Sequence, residues 1–468
     1  MADDLWKLGA SELAAAIRSK RVSAREVVEA HLRRIDAVNQ PLNAVTVVLA
    51  ERALAEARSA DDALARGATP GPLHGVPMTV KENIDLAGSP TTMGVPVLAG
   101  DVAPADAPHI AQLRAAGAIV IGRTNTPEFA TRWHTDNDLR GATRNPWDAG
   151  RTPGGSSGGD AAGLAAGLMP LGMGNDYAGS IRWPSQCCGT AGLRPSFGRV
   201  PRARTIPSAP QPPITIQLFA VHGPMARHVR DLRLALENMS AHDPRDPWSV
   251  AAPLRGAEPP QPIRVAVSVD PGGLGVDANV AEGVKRAALA LAGEGYAVEE
   301  VEGPQVVRAA QLYVQLLMSP GTPTAMQGGV VSEGMARFGA LNREAFARHT
   351  TDASPDPWAE RFAVARAWSE FHAKYPLVLA PVATMPAFPV GYDLRDADTS
   401  LEWLRAIRMI VTVNLLGLPS VAVPVGVAGG LPQGVQLIAA RFREDLCLDA
   451  AEAIERRLGT VTPIDPKP

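Results

Sequence analysis

Apolar positions recur at helical spacing early in the chain. Ser23-Ala24-Arg25-Glu26 is a capping-box pattern, followed by Val28, His31, Leu32 and Ile35 on one stripe, which predicts a helix within a helical N-terminal part, 1–70. His31 lies on that stripe and reads as a packed core histidine. From about Leu73 the texture changes to short apolar runs between turns. Ala118 to Gly122 reads as a buried strand after a helix near Ile110 to Ala116, and the small residues from Asp160 to Leu168 predict a helix that lies close under the turn before it. A helix is expected over Ala226 to Leu236 and a surface meander over the proline-rich Pro244 to Pro262, since proline continues neither helix nor central strand. Strands follow at Ile263 to Val269 and Ala297 to Val301, with a helix between them at Val280 to Ala292. Val306 to Asp356 gives no firm assignment, Leu377 to Ala380 and Ser420 to Val423 read as buried strands, and Val435 to Ala439 pairs with the latter across Gly429-Gly430. Alternating strands and helices argue for an α/β architecture, and no internal repeat is seen.

Length and composition narrow the function classes. At 468 residues, with 46% hydrophobic and 20% charged residues and no low-complexity linker, the chain reads as a globular protein with a large core. Lys+Arg 45 against Asp+Glu 48 leaves −3, so there is no basic footprint for nucleic acid, and no basic amphipathic stretch suggests a membrane surface. No apolar run reaches the roughly 20 residues needed to span a bilayer. Cys187, Cys188 and Cys447 give neither a disulfide framework nor zinc-like spacing, and Cys187 reads as a buried thiol. The opening Met-Ala-Asp-Asp-Leu-Trp is acidic where a secretory signal would be basic, so a cytoplasmic protein is expected.

The candidate chemistry lies between Thr152 and Gly198, where Ser156 and Ser180 sit in glycine-bounded turns. A hydroxyl becomes a nucleophile only when a neighbour takes its proton, and none of the nine histidines stands by a G-x-S-x-G elbow. Lys81, which ends the run Met78-Thr79-Val80, is the alternative base if burial keeps it neutral. Local sequence leaves two readings for it, a buried base or a surface lysine at a strand end. The run Gly154 to Gly159 likewise reads either as a flexible loop or as a presenting turn. A phosphate loop is excluded, because Asp160 stands where a Walker motif needs Lys-Ser/Thr.

Taken together, Leu73-His74-Gly75-Val76-Pro77 before Lys81, Asn125 to Phe129, Pro153-Gly154-Gly155-Ser156-Ser157-Gly158-Gly159, Asp176 to Pro184, Asn414 to Ser420 and Gly434 to Ile438 resemble the amidase signature family in order and spacing. The resemblance covers nearly the whole chain except about 244–356, a variable, insertion-like region. It implies a single large α/β domain over 1–468 with a central mixed β-sheet flanked by helices. It also implies an amide hydrolase with Ser180 as nucleophile, Ser156 as a bridging serine on a cis peptide, and Lys81 as base. The main-chain N–H groups of Tyr177, Ala178, Gly179 and Ser180 would form the oxyanion hole, and Asp176 and Arg182 would hold the nucleophile loop. No cofactor or metal is implied, the partner is a small-molecule amide, and a homodimer is the expected assembly.

Trp133 and Thr135 lie where related enzymes line the acyl pocket and Trp183 is near Ser180, so an aryl or linear apolar amide is expected, with esters as a variant. The sequence departs from the family pattern at Ala178, where glycine is usual and where a positive φ would strain alanine, and at Asn175 and Arg194. Two other readings compete. One is the glutaminase component of a tRNA amidotransferase, against which the Ile214 to Pro224 stretch and the Pro201 to Pro213 loop speak; the other is a non-catalytic binding protein on the same fold.

Overall fold

Short strands, several of them buried along their whole length, form one sheet, and the computed structural model describes residues 2–206, 211–318, 330–350 and 352–467. Parts of the Pro201 to Pro213 loop and of the Val306 to Asp356 region lie outside the described residues. In chain order the strands are β1 (Val45–Val48), β2 (Pro77–Lys81), β3 (Ile119–Thr124), β4 (Leu171–Asp176), β5 (Ala191–Arg194), β6 (Val221–Ala226), β7 (Arg264–Val267), β8 (Ala297–Glu300), β9 (Leu377–Pro381), β10 (Ser420–Ala428) and β11 (Leu431–Ala439). They form a single 11-stranded sheet in the order β1-β3-β2-β4-β6-β5-β10-β11-β9-β7-β8. Strands β3, β2 and β4 run parallel, as do β9, β7 and β8, and the pairs between these two groups are antiparallel. The protein is therefore a large α/β domain with a mixed sheet flanked by helices. Lys81 and Asp176 are the last residues of the parallel neighbours β2 and β4, the end at which α/β sheets place their ligands.

The N-terminal helices form as their pattern predicts. Ser23 Oγ accepts from the Glu26 N–H at 3.1 Å and the Glu26 carboxylate accepts from the Ser23 N–H at 2.8 Å, closing the capping box of helix Ala24–Leu42. His31 is buried on that helix with Nδ1 at 2.9 Å from the Val27 carbonyl, a core histidine as expected. The helix Gly158–Ala165 is buried along its whole length. A Cβ on Gly159 would stand 2.5 Å from the Asn125 nitrogen, so glycine at this position lets the helix approach the end of β3.

Two expectations change. The helix expected from Ala226 begins at Val229, because Ala226 closes strand β6 against β4 and β5. The unassigned Val306 to Asp356 region contributes the helices Val306–Leu317 and Glu333–His349. The pairing of β10 with β11 across Gly429-Gly430 is found as expected. No helix among the described residues is long and apolar enough to cross a membrane.

Burial drives several histidines down: His31, His134 and His372 to about 4, His109 to about 3, and His222 well below its ordinary value. Near neutrality both folded and unfolded chains hold these rings uncharged. As pH falls through the unfolded value of about 6.5 the unfolded chain takes up protons that the folded chain does not, so stability is lost. Each ring contributes up to about 1.4 kcal/mol per pH unit until its folded pKa is reached. Asp160, raised by burial, works in the opposite sense as a single group. The urea midpoint is therefore expected to be lower at about pH 5.5 than at about pH 7.5, and an equal or higher midpoint would contradict this.

Candidate active site

Lys81 ends β2 with its side chain shut away from water. Its Nζ lies 2.6 Å from Ser156 Oγ, 3.0 Å from Ser157 Oγ and 2.8 Å from Asn175 Oδ1. Three segments meet here: the end of β2, the glycine-rich turn before helix Gly158–Ala165, and the end of β4. The Gly155–Ser156 peptide in that turn is cis. Asn175 Oδ1 can only accept, so one Nζ–H points at it, whereas each serine hydroxyl can accept or donate. Burial lowers the lysine pKa, against the opposing pull of Asp160 and Asp176.

The second turn is tied to the first and built around a buried carboxylate. The Ser157 N–H donates to the Ser180 carbonyl at 3.2 Å. Asp176 accepts from Arg182 Nε at 3.0 Å, Arg182 Nη2 at 3.1 Å, Asn414 Nδ2 at 2.8 Å, the Gly179 N–H at 3.0 Å and the Ile181 N–H at 3.4 Å. Burial alone would raise its pKa, but Arg182 and Arg194 outweigh it and hold the carboxyl well below the usual range. Arg182 also donates to Gln436, Asn414 and the Ile410 carbonyl, which anchors the turn to β11 and to helix Arg408–Leu416.

The positive φ of this turn falls at Gly179 (91°), while Ala178 is outside the left-handed region, so alanine at 178 is accommodated without the strain that a positive φ would bring. The Gly179 N–H is already engaged by Asp176. The N–H groups of Ala178 and Ser180 have no acceptor among the described residues, and the Ser180 hydroxyl faces a cavity with no hydrogen bond of its own among them. No hydrogen bond joins the Ser156 and Ser180 hydroxyls among the described residues; Ser156 Oγ is bonded to Lys81.

The cavity above Ser180 has a volume of about 640 Å3 and a largely apolar wall that includes Phe129, Trp133, Tyr313, Phe338, Ile407 and Val411. Trp133 stands in this wall, with Nε1 donating to the Ala178 carbonyl at 3.0 Å. Two residues expected at the wall stand elsewhere. Trp183 is fully buried against Phe388 and Trp403, its Nε1 donating to the Trp133 carbonyl, so it supports the wall from behind. Thr135 is buried too, donating to the Gly154 carbonyl at 2.9 Å and accepting from the Gly158 N–H, so it braces the serine turn.

Sequence reasoning passed over Asn175 and Ser157 as partners of Lys81, and Tyr313 and Phe338 as wall residues from a region without a clear pattern. The doubled serine of Gly154 to Gly159 was the available signal for Ser157. Among the described residues no group of three His, Cys, Asp or Glu side chains is placed to hold a metal ion.

Removing Arg182 would leave Asp176 buried with its main charge partner gone. The Arg182→Met variant is expected to lose about 3–5 kcal/mol of stability in urea unfolding, and a loss within about 1 kcal/mol would show that the turn does not depend on the pair.

The profile of the Amidase family matches residues 26–448. Indoleacetamide hydrolase of Bradyrhizobium diazoefficiens is 45% identical over 98% of this chain and 88% of its own length. The A component of the glutamyl-tRNA(Gln) amidotransferase of Moorella thermoacetica is 33% identical over 97% of each chain. Among solved structures, 6-aminohexanoate cyclic dimer hydrolase in complex with substrate superposes with a TM-score of 0.80 at 29% identity over 99% of both chains.

Proposed function

The chain belongs to the Amidase family and is an amide hydrolase, and from that premise we propose that it cleaves an aryl-substituted acetamide of the indoleacetamide kind through a serine acyl-enzyme. The observation that carries the reading is the 2.6 Å contact between the buried Lys81 amine and Ser156 Oγ, beside a Ser180 hydroxyl that opens on an aromatic-walled cavity. Ser180 Oγ attacks the amide carbonyl carbon while its proton passes to Ser156 and the Ser156 proton passes to the Lys81 lone pair. With one Nζ–H donated to Asn175 and the other to Ser157, the lone pair of the neutral amine is left for Ser156. The C–O bond forms as the carbonyl oxygen takes negative charge, which the free N–H groups of Ala178 and Ser180 stabilise. Collapse expels the amine, which takes a proton back through Ser156. Water then attacks the ester by the same route in reverse, releasing the acid and restoring Ser180.

The substrate class is supported by the 45% identity to an indoleacetamide hydrolase and by Phe129, Trp133 and Phe338 in the wall. The lower identity to an amidotransferase component puts that reading second; glutaminase activity appearing only with partner proteins would restore it. The proposal extends to a small-molecule substrate without nucleic acid, to a homodimer on the family resemblance, and to a cytoplasmic location, supported by three free buried thiols.

Ammonia release from indoleacetamide tests the reading. Ser180→Ala is expected to lose at least about 10^4-fold in kcat/KM, and Ser156→Ala and Lys81→Ala about 10^2–10^4-fold each. A Lys81→Ala variant with near-normal turnover at neutral pH would remove the lysine from the relay.

Because the active lysine is the neutral amine, kcat/KM falls as pH drops, along an acid limb well below the ordinary lysine value of about 10.4. A profile flat down to about pH 5 would contradict a lysine base.

A further inference from the structure

Asp160 lies in the first turn of helix Gly158–Ala165, with its side chain fully buried. The hydroxyls of Thr79 and Thr124 and the Asp160 N–H lie near the carboxyl and favour its charged form, yet neither of its oxygens, nor either threonine hydroxyl, has a partner in good hydrogen-bonding geometry. Thr79 precedes Lys81 by two residues and so shares its face of β2, and Thr124 is the β3 partner of Lys81. Across the interface, Gly172 of β4 leaves the space: a Cβ there would stand 2.9 Å from Asp160 Oδ1. The fold thus makes room for a carboxyl behind the lysine and supplies it with no well-formed donor.

Resting on the reading of Lys81 as base, we propose that Asp160 is buried as a neutral carboxylic acid and that its neutrality leaves Lys81 the free amine, which makes Asp160 a positioning residue for the proton relay. The protein contains its own control. Asp176 is equally buried and is kept ionised by two donors from Arg182, one from Asn414 and two from the backbone. Among the described residues Asp160 has no arginine or amide side chain donating to it and only the poorly aligned threonine hydroxyls and its own N–H nearby, and a buried carboxylate so weakly supported is costlier than the neutral acid. Conversely, an ionised Asp160 would hold Lys81 as the ammonium, which has no lone pair to receive the Ser156 proton.

The other charged or titratable groups nearby do not change this balance. Asp176 is matched by Arg182 and Arg194. His222, on β6 opposite Asn175, is held neutral by burial. Arg123 projects from the face of β3 opposite to Thr124, where it donates to the carbonyls of Val80, Lys81, Ile84 and Pro90 and to Ser89. Burial raises the Asp160 pKa and lowers that of Lys81, each against the attraction of the other. During turnover Lys81 gains and returns the serine proton while Asp160 keeps its own.

Infrared spectroscopy of the intact protein labelled with 13C-carboxyl aspartate reads the protonation state without turnover. At neutral pH the wild type is expected to show the C=O stretch of a protonated, labelled carboxylic acid, and Asp160→Asn to lack it. Should Asp160→Asn fail to fold, Asp160→Glu under the same aspartate-only label serves the same purpose. Kinetically, asparagine mimics the neutral acid, so the acid limb of kcat/KM in Asp160→Asn is expected within about 0.3 pH unit of the wild type. Absence of the acid band from the wild type, its persistence in both variants, or an acid limb moved down by more than about one unit would overturn the proposal. If the band is present but Lys81→Ala turns over normally, the relay fails and the buried acid stands.

Discussion

A lysine amine enclosed in protein, hydrogen-bonded to two serines and an asparagine and, among the described residues, to no carboxylate, is the constraint around which this structure is arranged. Burial disfavours the ammonium, and the three contacts are polar enough to satisfy the nitrogen without supplying a countercharge. Meeting that condition requires three separate chain segments at one point. Strand β2 delivers the lysine, the turn before helix Gly158–Ala165 delivers both serines, and β4 delivers Asn175. The parallel arrangement of β2 and β4 brings their ends to the same edge of the sheet, and the small-residue helix beneath lets the serine turn reach it.

Two buried carboxylic side chains flank this point and are treated in opposite ways. Asp176 is surrounded by arginine, asparagine and backbone donors, and its charge orders the Ser180 turn by engaging the Gly179 and Ile181 N–H groups. That leaves the N–H groups of Ala178 and Ser180 directed elsewhere, beside the cavity. Asp160 sits behind the lysine without such donors. On the proposed reading, one acid builds the turn by being charged and the other protects the base by being neutral. The aromatic cavity above Ser180 then decides which acyl groups reach it.

Much of this was legible in the sequence where one physical signal dominated. The capping box at Ser23, the apolar runs of β3 and β9, and the glycine turn between β10 and β11 each follow from local pattern. The strand β4 did not, because Leu-Gly-Met-Gly-Asn-Asp lacks the branched residues that mark strands; Gly172 stands where the Asp160 side chain needs room. Ala226 reads as the first residue of a helix, whereas pairing with β4 and β5 holds it in β6. Trp183 is assigned to the pocket by its nearness in sequence to Ser180, and Thr135 by its position in a segment that lines the acyl pocket of related enzymes. Distance along the chain does not say which way a side chain turns, and both turn inward. Asn175 looked like a neutral departure from the family pattern, and only the fold shows that it faces Lys81.

The account depends most on an activated hydroxyl at Ser180, and intact mass with peptide mapping after treatment with a fluorophosphonate measures this directly. The account predicts one adduct, mapped to Ser180, formed rapidly at neutral pH by the wild type, slowly by Lys81→Ala and not at all by Ser180→Ala. An adduct on another serine, or equal labelling rates with and without Lys81, would contradict it.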